Sequence, residues 1–139
     1  MRALGVDLGS KRIGIAVSDL SGTIASPLSV IQRTRSKRLD HEAIRRIVVA
    51  EEAEIVVVGL PLTLSGEHGP AAKAVTDEVR QMSSVVGVPV ELVDERLSTV
   101  AADRILREGN LSASQRREHV DKVAAAVLLQ TWLDGRATK

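Results

Sequence analysis

The sequence predicts an α/β domain in which a mixed five-stranded sheet carries helices on both faces. Three features of the chain support this prediction. Residues 3–19 alternate apolar and small side chains around a glycine-containing turn, which is typical of two antiparallel strands joined as a hairpin. A third strand follows the hairpin, and each of the last two strands comes after a helical stretch. Because a strand, a helix and a second strand usually form a parallel unit, the pattern predicts three antiparallel strands followed by parallel ones.

The first strand is the element around which the others are predicted to pack. Leu4 and Val6 alternate there with the small residues Ala3 and Gly5, and the strand brings Asp7 to its carboxyl end. Asp7 is predicted to share a face with Ala3 and Gly5. Because these two residues have little or no side chain, another group can come close to the Asp7 carboxylate.

The later elements follow from apolar periodicity and from turn residues. Pro27 places the third strand at an edge or at a bulge. The continuous apolar run before Gly59 indicates a central strand that is buried on both faces. Pro70 suits the first turn of a helix that Gly87 ends. The predicted order is β-β-β-α-β-α-β-α-α, with a third strand over 23–31, helices over 38–53, 70–86, 98–108 and 119–133, strands over 54–59 and 88–94, and a flexible polar loop over 110–118.

Composition narrows the class of protein. A chain of 139 residues suffices for one domain, residues 1–139, with a substantial core. The absence of cysteine excludes disulfides and thiolate metal sites. Since no apolar run is long enough to span a membrane and the first residues lack a signal-peptide pattern, we expect a soluble, cytoplasmic protein. The net charge of +1 gives no strong overall field, and with Trp132 as the sole aromatic residue any nucleic acid must be held by its backbone.

Further carboxylates are predicted to lie near Asp7. Asp94 and Glu95 follow the last predicted strand, and the carboxyl ends of parallel strands meet at one edge of a sheet. Asp121 begins an apolar stripe on the last helix, so it is predicted to face the sheet, where a carboxylate needs a partner. Simpler alternatives are a helix-dipole role for Asp121, an ion pair between Glu95 and Arg96, and an Asx turn at Asp7.

Carboxylates that converge at a strand end suit hard cations such as Mg²⁺ or Mn²⁺. Two such ions about 4 Å apart can activate water and stabilise the leaving oxygen of a phosphodiester. The sequence therefore predicts a two-metal site that acts on nucleic acid, although the basic stretch after the third strand is equally consistent with a solvated loop. The cations available to neutralise phosphates are Lys11, Arg12, Arg96 and Lys122 beside the carboxylates, and Arg33, Arg35, Lys37 and Arg38 in that basic stretch.

Other polar residues have simpler interpretations. His41, His68 and His119 lack the spacing of metal ligands, and each is predicted to lie at the surface. Asp19 is predicted to be a turn residue. The first helix is predicted to bury one stripe that consists of Leu39, Ala43, Ile44, Ile47 and Val48.

Four stretches in the chain resemble a known family. Residues 5–19, GVDLGSKRIGIAVSD, resemble the opening of the YqgF family, also called RuvX. Residues 58–62, 94–99 and 121–126, which read VGLPL, DERLST and DKVAAA, are similar to the same family in the same order. The first stretch alone also resembles sugar kinases and actin-like ATPases, but those place ATP between two domains. The resemblance covers nearly the whole chain.

The resemblance implies an RNase H-like fold akin to that of the RuvC Holliday-junction resolvases. It implies that Asp7, Glu95 and Asp121 are the catalytic and metal-binding acids of a cytoplasmic bacterial nuclease. The implied task is processing of the 5′ end of pre-16S rRNA, with ribosomal assembly intermediates as partners. The chain departs from RuvC at Gly59-Leu60-Pro61, where a resolvase would carry a glutamate. The second carboxylate must then come from Glu95 or from Asp94.

Two other functions stay open from the sequence. A Holliday junction resolvase that cuts branched DNA requires two sites in a symmetric dimer. The apolar run 123–129 could supply such a surface, although burial within a monomer is the favoured interpretation, and we expect a monomer or a weak homodimer. A non-catalytic RNA-binding or assembly module would keep the fold without the chemistry. No residue type in the chain separates RNA from DNA.

Overall fold

A computed structural model describes residues 1–63, 65–94 and 113–137, and the side chains of residues 113–121 and 137 lie outside that description. No helix within these ranges is long and apolar enough to cross a membrane. The predicted helix 98–108 lies outside the described residues. The described elements are β1 (Ala3–Leu8), β2 (Arg12–Ser18), β3 (Ala25–Gln32), α1 (Lys37–Ala50), β4 (Ile55–Leu60), α2 (Pro70–Val86), β5 (Val90–Asp94) and α3 (Ala113–Ala137).

The five strands form one mixed sheet in the order β3-β2-β1-β4-β5. The strands β1, β2 and β3 pair antiparallel, whereas β4 pairs parallel with β1 and with β5. This topology confirms the predicted fold class. Pro27 lies in β3 at one end of the strand order, and the pairing of β2 with β3 shifts between Ile15 and Ala16. Both observations confirm the interpretation of Pro27 as a residue of an edge strand near a bulge.

Helices cover both faces of the sheet and divide the core in two. On one face, Leu4 and Val6 of β1 pack in a cluster with residues of α1 and α2. On the other face, Ala3 packs in a cluster with Ala125 and Leu129 of α3. The apolar run 123–129 of α3 therefore packs against the sheet of its own subunit. This confirms that the run is part of the internal core.

Two local predictions are wrong. The helix α3 begins at residue 113, so the polar loop predicted over 110–118 does not extend past residue 112. Its Gln, Arg and Glu residues are good helix formers, so their polarity does not indicate a loop. In α1, Leu39 is 53% exposed, while Asp40 and His41 take the inward positions of the first turn. The inward face of α1 therefore begins with two polar residues, Asp40 and His41, which have hydrogen-bond partners inside the protein.

Candidate active site at the end of the first strand

Asp7 occupies the next-to-last position of β1, beside the turn that leads to β2. It pairs across the hairpin with Gly14, and its carbonyl oxygen accepts a hydrogen bond from the Gly9 amide at 3.1 Å. The residue is half-buried, so part of it is accessible from solvent. By strand alternation it shares the face of Ala3 and Gly5, which is the face that α3 covers.

The helix α3 approaches β1 closely at Gly5. A Cβ atom built on Gly5 would lie 2.9 Å from the carbonyl oxygen of Ala125 and 2.9 Å from the Cβ of Leu129. Only glycine leaves room for a helix backbone at this distance. Gly5, which has no side chain, and Ala125, which has a small one, therefore set the distance between β1 and α3 next to Asp7.

The direction of α3 brings its first turns to the Asp7 end of the sheet. Near the end of the helix, Arg136 Nη1 lies 3.4 Å from the sulfur of Met1, while Ala125 lies over Gly5. The helix thus runs antiparallel to β1. Asp121 precedes Ala125 by about one turn, roughly 6 Å along the helix, and Asp7 follows Gly5 by a similar distance along the strand. The backbone positions of Asp7 and Asp121 therefore lie at the same end of the contact.

The register of the parallel strands places Asp94 and Asp7 on opposite faces of the sheet. Asp94 pairs with Leu60, and two residues earlier Leu92 pairs with Val58, which in turn pairs with Val6. Residues that pair directly share a face, and successive residues alternate. Asp94 therefore belongs to the face of Val6, which α1 and α2 cover, whereas Asp7 belongs to the α3 face. Glu95 lies outside the described residues.

A cleft of about 580 Å³ opens at the same end of the sheet. Asp7, Gly9 and Ser10 border the cleft at the end of β1, and residues of α1 and α2, among them Asp40 and Glu78, line the rest of it. Arg35 and Lys37, which precede and begin α1, also line the cleft, and both are exposed. Exposed cations that line a cleft suit a ligand that carries phosphates.

The remaining predicted cations occupy varied environments. Lys11 is exposed on the turn after Asp7, whereas Arg12 is half-buried. Arg38 points to solvent and contacts Glu42 on the next turn of α1, with Nε 3.3 Å from Oε1. Lys122 is half-buried on α3. Arg96 lies outside the described residues.

Arg33 does not lie with its neighbours on an open loop as the sequence suggested. Its Nη1 and Nη2 atoms donate to Oε2 and Oε1 of Glu78 at 2.8 and 2.9 Å. Its Nη1 is also 3.6 Å from Oδ2 of Asp40, and only 13% of its side chain is exposed. These carboxylates raise the pKa of Arg33, although burial opposes the shift. The structure thus gives this guanidinium protein partners in place of the expected phosphates.

The surface position predicted for His41 is wrong. His41 is 1% exposed, and its Nε2 lies 2.8 Å from Oε2 of Glu78. Burial would raise the pKa of Glu78, but the hydrogen bonds and charges of Arg33 and His41 together lower it below its ordinary value. One sequence signal could have revealed this site, because Glu78 interrupts the apolar stripe of α2 between Val75 and Met82.

Asp19 confirms its interpretation as a turn residue at the other end of the hairpin. Its Oδ1 accepts hydrogen bonds from the amides of Thr23 and Ile24 at 2.7 and 3.1 Å, and its Oδ2 accepts one from the Ser21 hydroxyl. The two amide bonds are the main cause of its lowered pKa. This aspartate has a complete local role far from Asp7.

The donor chemistry at Asp7 is compatible with a hard cation, because carboxylate oxygens are the ligands that Mg²⁺ and Mn²⁺ prefer. Among residues whose side chains are described, no group of three acidic or histidine residues is arranged to hold a metal. The side chains of Glu95 and Asp121 fall outside that set. The two-metal site is therefore a prediction. Asp7 is the one of its three predicted acids whose side chain is described.

The sheet order, the antiparallel start and the helices on both faces define the RNase H-like class. RuvC of T. thermophilus in complex with a Holliday junction substrate shares this fold, with a TM-score of 0.57 and 16% identity over 99% of this chain and 96% of that chain. A second structure of Thermus thermophilus RuvC matches with a TM-score of 0.56 over 97% of its length. These similarities establish the fold.

The chain belongs to the RuvX family, whose model carries the description "Holliday junction resolvase" and matches residues 1–135. Two relatives share the name "Putative pre-16S rRNA nuclease". The protein from Thermoanaerobacter pseudethanolicus is 42% identical over 100% of both chains. The protein from Myxococcus xanthus is 46% identical over 96% of this chain and 88% of its own. Membership of this family supports a nuclease.

Proposed function

We propose that this protein is a metal-dependent nuclease that processes the 5′ end of pre-16S rRNA. Asp7, Glu95 and Asp121 are the catalytic acids in this proposal. The main supporting observation is the contact between Gly5 and Ala125. Because α3 runs antiparallel to β1, the backbones of Asp7 and Asp121 lie on the same side of that contact. The names of the relatives supply the substrate class.

The proposed cofactor is Mg²⁺ or Mn²⁺, bound by the three carboxylates. When bound, such ions supply a water of lowered pKa and stabilise negative charge on phosphate oxygens. The position of Asp94 on the other face of the sheet supports Glu95 as the second acid. Asp7 is suited to hold such an ion, because it is half-buried at a strand end and borders the cleft.

The chain's own residues would hold and orient the RNA. Arg35 and Lys37 line the cleft that Asp7 also borders, and Lys11 is exposed on the turn after Asp7. In this role they contact backbone phosphates and oppose the charge repulsion between RNA and the acidic site. Phosphate contacts position a strand but read no sequence, so the choice of cleavage site depends on RNA structure or on the assembling ribosome.

The decisive experiment measures cleavage of a labelled 16S precursor that retains its 5′ leader, in Mg²⁺, in Mn²⁺ and in EDTA. Asp7→Asn removes the charge and preserves the shape, and Asp19→Asn makes the same change at a turn that has its own hydrogen bonds. We expect cleavage by the wild type and by Asp19→Asn with either metal, and none by Asp7→Asn or in EDTA. Unchanged cleavage by Asp7→Asn would overturn the assignment.

A Holliday junction resolvase is the second candidate, because the family model carries that description. A four-way DNA junction is therefore tested in parallel, together with the oligomeric state of the protein. Symmetric cutting of the junction by a dimer, without cleavage of the RNA leader, would favour the resolvase. Binding of RNA without cleavage of either substrate would favour an assembly module that has kept the fold.

A further inference from the structure

A buried polar cluster lies directly beneath the turn that follows Asp7. Arg33 occupies its centre and joins three elements through a single guanidinium. Its Nε donates to the carbonyl oxygen of Gly9 at 2.7 Å, while its two terminal nitrogens donate to Glu78 on α2. Asp40 on α1 lies within 3.6 Å of the same guanidinium. The cluster therefore connects both helices of one face to the turn.

Arg33 holds this turn at two points. In addition to the bond from its side chain to Gly9, its backbone amide donates to the carbonyl oxygen of Lys11 at 3.0 Å. The Gly9 amide in turn donates to the carbonyl oxygen of Asp7. A short path of hydrogen bonds thus runs from Glu78 through Arg33 and Gly9 to the residue that the proposed function makes catalytic.

The members of the cluster are arranged to fix the direction of the guanidinium. Glu78 is 5% exposed, and its Oε2 accepts from Arg33 while it also lies 2.8 Å from His41. Asp40 is 1% exposed, and its Oδ1 accepts hydrogen bonds from the amide and the hydroxyl of Thr34, next to Arg33. Since buried ion pairs often add little to stability compared with apolar packing, their value here is geometric. The planar fork of arginine makes all three bonds at once, and lysine cannot do so.

We propose that Arg33 is a positioning residue, which through Gly9 holds the turn after Asp7 in the geometry that the site requires. The proposal rests on the proposed nuclease function for its kinetic consequences. Its structural consequence, an ordered turn, does not depend on that function. Arg33 contacts no substrate in this role, in contrast to Arg35 and Lys37.

The kinetic test uses Arg33→Lys and Arg33→Ala in cleavage of the 16S precursor. We expect kcat to fall about tenfold or more in both variants, because small displacements of catalytic groups are costly, with KM within about twofold of the wild type. Since the side chain borders the cleft, added guanidinium should restore kcat to Arg33→Ala but not to Arg33→Lys. Wild-type kcat in Arg33→Lys, or a raised KM at unchanged kcat, would overturn the proposal.

Val48→Ala provides a control for lost stability, because Val48 is buried on α1 and has no part in the cluster. We expect a lower midpoint of unfolding with wild-type kcat. If Val48→Ala and Arg33→Lys lower kcat equally at matched stability, Arg33 has only a structural role and the proposal is wrong.

An NMR measurement on the full chain, without RNA or metal, separates this proposal from the nuclease function. In Arg33→Lys, we expect the Gly9 amide to exchange about tenfold faster with solvent, while the Val57 amide in the central strand exchanges at the wild-type rate. Unchanged exchange at Gly9 would overturn the positioning role even in an active enzyme. Faster exchange in a chain that cleaves no substrate would support the role while the nuclease proposal failed.

Discussion

Gly5 of β1 and Ala125 of α3 are in backbone contact, and a Cβ atom on Gly5 would lie 2.9 Å from the Ala125 carbonyl oxygen. The contact is part of the smaller of the two core clusters, in which Ala3 and Leu129 also pack. Because this contact fixes the height of α3 above the sheet, it also fixes the separation between the first strand and the turn of α3 that contains Asp121.

Gly5→Ala should therefore damage the site as well as the fold. The added methyl group has no room between two backbones, and overpacking of this kind costs about 1–3 kcal/mol of unfolding free energy. We expect a lower urea midpoint and a loss of cleavage larger than the loss of folded protein. Gly135→Ala in α3 is the matched control, because a Cβ atom on Gly135 meets nothing within 4 Å. That change should stabilise the protein by about 0.5–1 kcal/mol with wild-type cleavage; equal behaviour of the two variants would contradict the argument.

The sequence predicted the sheet and the face of Asp7 because both depend on local patterns. Alternation around Gly9 indicated the hairpin, and the apolar run before Gly59 indicated the central parallel strand. Small residues at Ala3 and Gly5 indicated a close approach, which the structure assigns to α3. These signals require only the periodicity of a strand and the volume of its side chains.

The buried cluster could not be predicted in the same way because its partners are distant in the sequence. Arg33 and Glu78 are 45 positions apart, and His41 and Glu78 are 37 apart. A helix rule that buries the more apolar residue places Leu39 inside, although the structure leaves it 53% exposed and buries Asp40 instead. Tertiary partners on α2 decide which face of the first turn is inward, and periodicity within α1 does not contain that information.

Glu78→Gln should show how the cluster depends on pH. Arg33 and His41 contact Glu78 and lower its pKa below the ordinary value of 4.5, and Asp40 lies beside Arg33. A carboxylate with a lowered folded-state pKa stabilises the protein above its unfolded value, and this contribution disappears as the pH falls through the folded value. We expect the variant to lose about 3 kcal/mol of unfolding free energy at neutral pH.

The measurement compares urea unfolding of the wild type and Glu78→Gln from pH 7 down to acid. The difference between their unfolding free energies should shrink as the pH falls below about 4.5, because only the wild type loses a charge at this position. Asp19→Asn serves as the comparison, since its carboxylate also has a lowered pKa but lies at an exposed turn. A difference for Glu78→Gln that widens in acid would show that the sign of this linkage is wrong.

Asp94→Asn and Glu95→Gln should differ in their effect on cleavage, although the two residues are adjacent. Asp94 pairs with Leu60 and belongs to the face that α1 and α2 cover, across the sheet from Asp7. We expect Asp94→Asn to keep metal-dependent cleavage and Glu95→Gln to lose it, because the proposed site requires carboxylates on the α3 face. Cleavage rates at saturating Mg²⁺, with folding checked by circular dichroism, decide between them. If Glu95→Gln cleaved at the wild-type rate and Asp94→Asn were inactive, Asp94 would be the second acidic ligand in place of Glu95.

Arg35→Gln and Lys37→Gln should weaken RNA binding in a way that depends on salt. Both side chains are exposed and line the cleft that Asp7 also borders, so each can release counterions from RNA phosphates when it binds. In titrations over a range of salt concentrations, each change should reduce the slope of log affinity against log salt by about 0.7 for a single-stranded leader. Arg136→Gln is the control, because Arg136 is exposed beside Trp132 at the opposite end of the sheet. A slope that falls equally in all three variants would mean that the protein attracts RNA by its total charge, and the cleft would then have no special part in holding the substrate.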